Sequence, residues 1–171
     1  MLTTQRERGT AIIIYVIPLI ATVSAAVIWD FREWKIPNAL IGCGLVQGFL
    51  MSAAVRGPEM GLYSSVVGCI IPVVILFVLF LIKALGAGDI KLLSVTGTFV
   101  GTDIYRVIIY SFLAGGVISI IFLLKEVIFS ITNRKQISIN NLRNRVLKTR
   151  IHFSVAIFCG AMYYLATIAG R

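Results

Sequence analysis

The chain has 171 residues, 58% hydrophobic and 13% charged, with a mean hydropathy of +0.96 and a formal net charge of +9. A water-soluble protein of 18.7 kDa covers its surface with polar groups, and so few charges, gathered into clusters, do not suffice. This excludes a soluble globular domain, a disordered chain, a disulfide scaffold and, despite a pI of about 9.9, a soluble nucleic-acid binder; the chain is expected to live in a bilayer, as one membrane-embedded domain over residues 1–171.

In chain order, continuous apolar runs cover Ile12 to Trp29, Ala39 to Val55, Leu62 to Ile82, Ile104 to Leu124 and Ile151 to Ala169. A sixth segment, Ile90 to Thr102, is shorter and carries Ser94, Thr96, Gly97, Thr98 and Gly101. The first run leads into Asp30 without a small-residue processing site, so it reads as a retained span rather than a cleaved signal peptide. Pro18 and Pro72 fall inside runs and are expected to bend their helices. Gly42, Gly44 and Gly48, and Gly97 with Gly101, read as close helix packing. Cys43, Cys69 and Cys159 form no CxxC pair and read as small buried hydrophobes.

Charge placement resolves the weak segment. Lys125, Arg134, Lys135, Arg143, Arg145, Lys148 and Arg150 all lie between the last two runs, which makes that loop cytoplasmic by the positive-inside rule. With six spans, Arg32, Lys35, Lys83 and Lys91 join it, eleven basic residues facing five (Arg6, Arg8, Arg56, Arg106 and Arg171) on the other side. The expectation is therefore an all-α polytopic membrane protein of about six transmembrane helices, N-terminus outside. Within the basic loop, Asn141 to Arg150 suits a short helix on anionic headgroups, or simply a solvated topology anchor; membrane lipids are the expected partner there and nucleic acid is not.

This topology sorts the three aspartates. Asp30 ends the first span and Asp89 opens the fourth, both at the cytoplasmic boundary, while Asp103 is carried to the opposite face. Ionisable groups at membrane depth are costly, and two carboxyls brought close together share a proton, one serving as base and the other as acid. That is the chemistry of an aspartic protease. Each acid also has a plainer reading as a hydrated span end, a helix cap or a partner of Arg32 or Lys91. Around Asp89 the chain reads Gly86, Ala87, Gly88, Asp89, whose minimal side chains would let an extended substrate strand approach; around Asp30, Pro37 suits the first turn of the following helix.

An acid followed by a basic residue and then Ile36, Pro37 and Asn38, paired with Gly86, Gly88, Asp89 and a following Ile90, Lys91, Leu92, Leu93, resembles the type IV prepilin peptidases, the GxGD membrane aspartic proteases that process type IV pilins and pseudopilins. The resemblance implies that Asp30 and Asp89 form a catalytic dyad, with Gly86, Gly88, Lys91, Ile36, Pro37 and Asn38 positioning the motifs or the substrate strand. The implied substrate is a prepilin or pseudopilin, cut at the cytosolic edge of the inner membrane between a basic leader and an apolar helix. Larger members carry a cytoplasmic region with paired CxxC motifs and an N-methyltransferase activity; with no CxxC pair, this chain is similar to the short peptidase-only forms of Flp (tight-adherence) pili or archaeal preflagellin systems. No metal, no cofactor and no S-adenosylmethionine site are expected. His152, at the start of the last run, lacks partners for a metal site, and no Ser-His-Asp set falls on one face. The competing readings are a proton-coupled transporter, disfavoured because both acids sit at one edge and no inverted repeat is apparent, and a non-catalytic pilus or secretion scaffold.

Overall fold

The computed structural model describes residues 2–33, 36–132 and 153–169, and these residues are all-helical. The helices are α1 (Leu2–Glu33), α2 (Asn38–Arg56), α3 (Pro58–Leu81), α4 (Ala87–Val100), α5 (Ile104–Thr132) and α6 (Phe153–Ala169), with a 3₁₀ turn over Gly101–Asp103. Asn38–Arg56, Pro58–Leu81 and the composite stretch Ala87–Lys125 are long and apolar enough to cross a membrane, and Phe153–Ile168 is a shorter apolar helix. The chain is a polytopic membrane protein. The basic segment Asn141 to Arg150 and His152 lie outside the described residues.

Each helix break has a local cause. Gly57, at φ 88° and ψ 154°, takes a backbone conformation costly to other residues, and Pro58 then starts α3 where its missing N–H costs nothing. After α3, Lys83 adopts φ 58° and the chain folds back, Lys83 N donating to the Phe80 carbonyl at 3.0 Å and Ala84 N to that of Leu79 at 2.9 Å. This is a Schellman-type stop with lysine where glycine is usual. Gly101, at φ 75°, ends α4. Pro18 and Pro72 lie inside α1 and α3, and neither divides its helix into two elements.

The segment weakest in hydropathy forms the centre of the molecule. Every residue of α4 from Leu92 to Val100 is buried, against Leu19, Val23 and Ala26 of α1, Ile41 of α2, Leu76 of α3, Ile104 and Val107 of α5, and Ile157 and Ala161 of α6. The continuously apolar α3 instead exposes Val66, Ile70, Val74, Phe77, Val78 and Leu81. That inversion is what a bilayer selects: lipid tails are as apolar as leucine, so burying apolar side chains gains little and helices associate through close packing and hydrogen bonds. The hydroxyls of α4 are satisfied within the helix, Ser94 donating to the Ile90 carbonyl and Thr96 to that of Leu92, each at 3.0 Å. Ser65 of α3 donates to the Thr98 carbonyl at 2.7 Å. Gly68 and Gly97 meet so closely that a Cβ on either would run into the carbonyl oxygen of the other.

Two expectations need correction. Gly44 and Gly48 do face α4, but Gly42 has open space where a Cβ would stand. Cys43 and Cys159 are exposed and Cys69 is half-buried, because their helix faces turn outward from the bundle rather than into it.

The two ends of α4 differ. At its C-terminal end Arg56 donates from Nη2 to the carbonyls of Phe99 and Val100, both at 3.1 Å, and from Nη1 to Ser64 Oγ at 3.0 Å. The guanidinium supplies charge where the helix dipole is negative and donors where the last carbonyls lack partners. Asp103 lies at this end too, accepting a hydrogen bond from the Tyr164 hydroxyl at 3.2 Å and pairing with Arg106 at 3.9 Å. It is separated from Asp89 by the length of α4, about 20 Å at 1.5 Å per residue.

Candidate active site

The N-terminal end of α4 collects the residues that the sequence singles out. Asp30 stands in the last turn of α1, which continues through it to Glu33. The connection to α2 passes through Ile36 and Pro37. Pro37 occupies the position before the first helical residue, at φ −63° and ψ 135°, one place earlier than the sequence implies, and its carbonyl accepts from Ile41 N at 3.3 Å. The extended conformation fits the proline ring and leaves α2 to begin at Asn38.

The glycine motif is a helix start. Gly86 is the N-cap of α4, extended at φ −76° and ψ 147°, and Ala87, Gly88 and Asp89 form the first turn. The Asp89 carboxyl turns back toward the backbone N–H of Gly86, the placement of the third-position acid in a capping box. The acid stands three residues after the cap, and a Cβ at Gly86 would lie 3.1 Å from Asp89 Oδ2, close enough that the carboxyl would have to give by a few tenths of an ångström. Of the stretch where a substrate strand was expected to approach, only Gly86 is extended. Gly88 is helical, and its α-carbon faces the side chain of Ile36, which a Cβ there would meet at an ordinary 3.7 Å.

The two motifs thus interlock. Ile36 covers Gly88, and Lys91 Nζ donates to Asn38 Oδ1 at 2.9 Å. Asp30 and Asp89, 59 residues apart in sequence, come within electrostatic reach of each other. Both are half-buried. Of the plainer readings of the two acids, the ion pair fails: among the described residues neither acid forms one, since Lys91 is turned to Asn38 and the ion pair found is that of Asp103 with Arg106. Asp89 does have a capping role, but Asp30 does not, for it stands in a C-terminal turn where the helix dipole disfavours an acid.

One residue escaped sequence reasoning. Ser154, in the first turn of α6 and fully buried, donates from Oγ to Asp30 Oδ2 at 2.6 Å. In sequence it stands out only as a small residue in the last apolar run. No spacing rule connects it with an acid 124 positions earlier, and only the packing of α6 on α1 brings them together.

Two carboxyls at one end of a helix bundle, within electrostatic reach of each other and in no ion pair among the described residues, can hold a proton between them and act on a water molecule. A family model described as the type IV leader peptidase family matches residues 17–124, a stretch that contains Asp30, the connection to α2 and the whole of α4, and that ends before α6. No curated protein and no solved structure matches the chain significantly. With the matched stretch covering well over half of its length, the chain belongs to the type IV leader peptidase family and is a membrane-embedded peptidase.

Proposed function

We propose that the protein is an aspartic endopeptidase that removes the leader from prepilin-like substrates, with Asp30 and Asp89 as its dyad. The observation that carries the reading is their meeting: two acids from separate segments come within electrostatic reach of each other, and among the described residues neither is in an ion pair. In this mechanism one carboxylate takes a proton from water as the water attacks the scissile carbonyl, while the protonated partner donates to the carbonyl oxygen; the first acid then passes its new proton to the departing amine as the second recovers one from a hydroxyl of the gem-diol. No covalent intermediate forms. Both acids protonated leaves no base, and both ionised leaves no acid, so the rate passes through a maximum in pH.

The positive-inside bias of the sequence supports a position of the Asp30 end of the bundle at the cytosolic face of the inner membrane. There water reaches the dyad, a basic leader remains in the cytosol, and the apolar helix of the substrate lies among lipid and the exposed faces of the enzyme. The chain's own residues suffice for hydrolysis in this scheme, with no metal, cofactor or methyl transfer.

The test is leader cleavage of a co-expressed type IV prepilin, read as a shift in its mobility on gels. Asp30→Asn and Asp89→Asn, each inserted in the membrane at normal level, are expected to abolish processing, at least 1,000-fold. Processing that persists in either variant removes the dyad.

A further inference from the structure

The hydrogen bond from Ser154 to Asp30 joins a hydroxyl of α6 to a carboxyl of α1. At 2.6 Å it is a short, well-formed O–H···O bond, of a kind that favours the charged form of the acceptor. Ser154 is fully buried, so water does not compete for the hydroxyl, and among the described residues it supplies the sole hydrogen bond to Asp30. Building a hydroxyl against this acid has no structural necessity in a helix whose neighbouring buried positions, Ala156, Ile157 and Ala161, are apolar. We propose that Ser154 is the positioning residue of the dyad: it fixes Asp30 Oδ2 and favours the ionised form of that acid, making Asp30 the base and leaving the shared proton on Asp89.

The assignment rests on the dyad reading above. Two like charges within reach of each other are not ionised together without cost; Asp89 faces the Gly86 N–H and Asp30 the Ser154 hydroxyl, and the fully buried hydroxyl bears on which of them carries the charge. With Oδ2 engaged, Oδ1 is the oxygen left to receive a proton from water. The charged groups on the surrounding elements do not break the symmetry in another way. On α4 these are Asp89 itself and Lys91, which is engaged by Asn38; Arg32 and Glu33 share the end of α1 and are exposed, and Lys83 is exposed in the connection before α4. Among the described residues α6 contributes no acid, lysine, arginine or histidine, and α2 carries only Arg56, at the far end.

The experiment compares the full-length protein with Ser154→Ala and Ser154→Cys, purified in detergent, on a purified type IV prepilin across a pH series. Removing the donor is expected to lower kcat by about 10- to 100-fold, the worth of a hydrogen bond to a charged group, with KM within about twofold. The acidic limb of the rate profile is expected to move to higher pH. Ser154→Cys, close in size and a weak donor, is expected to fall between the two. A profile unmoved in both variants overturns the proposal, as does a change confined to KM. Should Ser154→Ala fail to fold, an unmoved acidic limb in Ser154→Cys overturns it alone. Cleavage that persists in Asp30→Asn instead defeats the dyad reading, and the role of Ser154 with it, so the two failures are distinguishable.

Discussion

Lys91 donates from Nζ to Asn38 Oδ1 at 2.9 Å, and so ties the helix that carries Asp89 to the first residue of α2, directly after the connection that follows Asp30. The contact is exposed, which separates its geometric value from its energetic one. A solvated hydrogen bond adds little to stability, on the order of 1 kcal/mol or less. Its effect on the angle between two short connections is another matter, since a displacement of an ångström at a reacting group is costly to rate.

Lys91→Ala and Asn38→Ala are therefore expected to shift the thermal midpoint of the detergent-solubilised protein only slightly while each lowers prepilin cleavage about 3- to 10-fold. Because the two residues act through one bond, the double variant is expected to be no slower than the worse single one. Rates that multiply in the double variant contradict a shared role.

Gly86 and Gly88 are alike in sequence and unlike in surroundings. A Cβ at Gly86 crowds the Asp89 carboxyl at 3.1 Å, whereas one at Gly88 makes an ordinary contact with Ile36 at 3.7 Å. Gly86→Ala is expected to cost at least tenfold in cleavage with a modest change in stability. Gly88→Ala, inside the first helical turn where alanine is favoured over glycine, is expected to fold at least as well as the unaltered protein, by up to about 1 kcal/mol. Parallel melting curves and cleavage rates separate the two, and equal effects at both positions contradict the assignment.

Arg56 holds the far end of α4 through the carbonyls of Phe99 and Val100. Arg56→Ala leaves those carbonyls without their donor, with an expected loss of about 1 to 3 kcal/mol read from unfolding in detergent. Arg56→Lys is expected to recover less than half of it, because one ammonium does not reproduce the fork that reaches two carbonyls and Ser64 together. The substitution lies about 20 Å from Asp89, the length of α4, so cleavage per folded molecule is expected to change little.

Much of the architecture is legible locally. Gly57 followed by Pro58, and Gly101 within Gly-Thr-Asp, stop helices through backbone conformations that the residue types themselves dictate. The motif residues Ile36, Asn38, Gly86, Gly88 and Lys91 were recognisable as a set, and the structure gathers them at one end of α4 with Asp30 and Asp89. What the local pattern did not show was conformation at that end: the glycines that leave room for a substrate strand begin a helix, with the acid three residues after Gly86 turned back toward it. Hydropathy likewise ranked α4 as the weakest span, whereas in lipid a helix of small and hydroxyl residues that packs closely belongs in the middle.

By itself the amino-acid sequence determined the medium, the helices and the two acids, because apolar run length, charge asymmetry and helix stops are properties of neighbouring residues. The tertiary structure alone decided that Ser154 meets Asp30, that Arg56 closes α4 and that Gly68 lies against Gly97. Those pairings join positions 124, 43 and 29 residues apart, and no periodicity of the chain encodes which faces of different helices come to touch. They arise when close packing around α4 fixes each helix in rotation and height, and buried hydroxyl and guanidinium groups then take the partners that this packing leaves within reach.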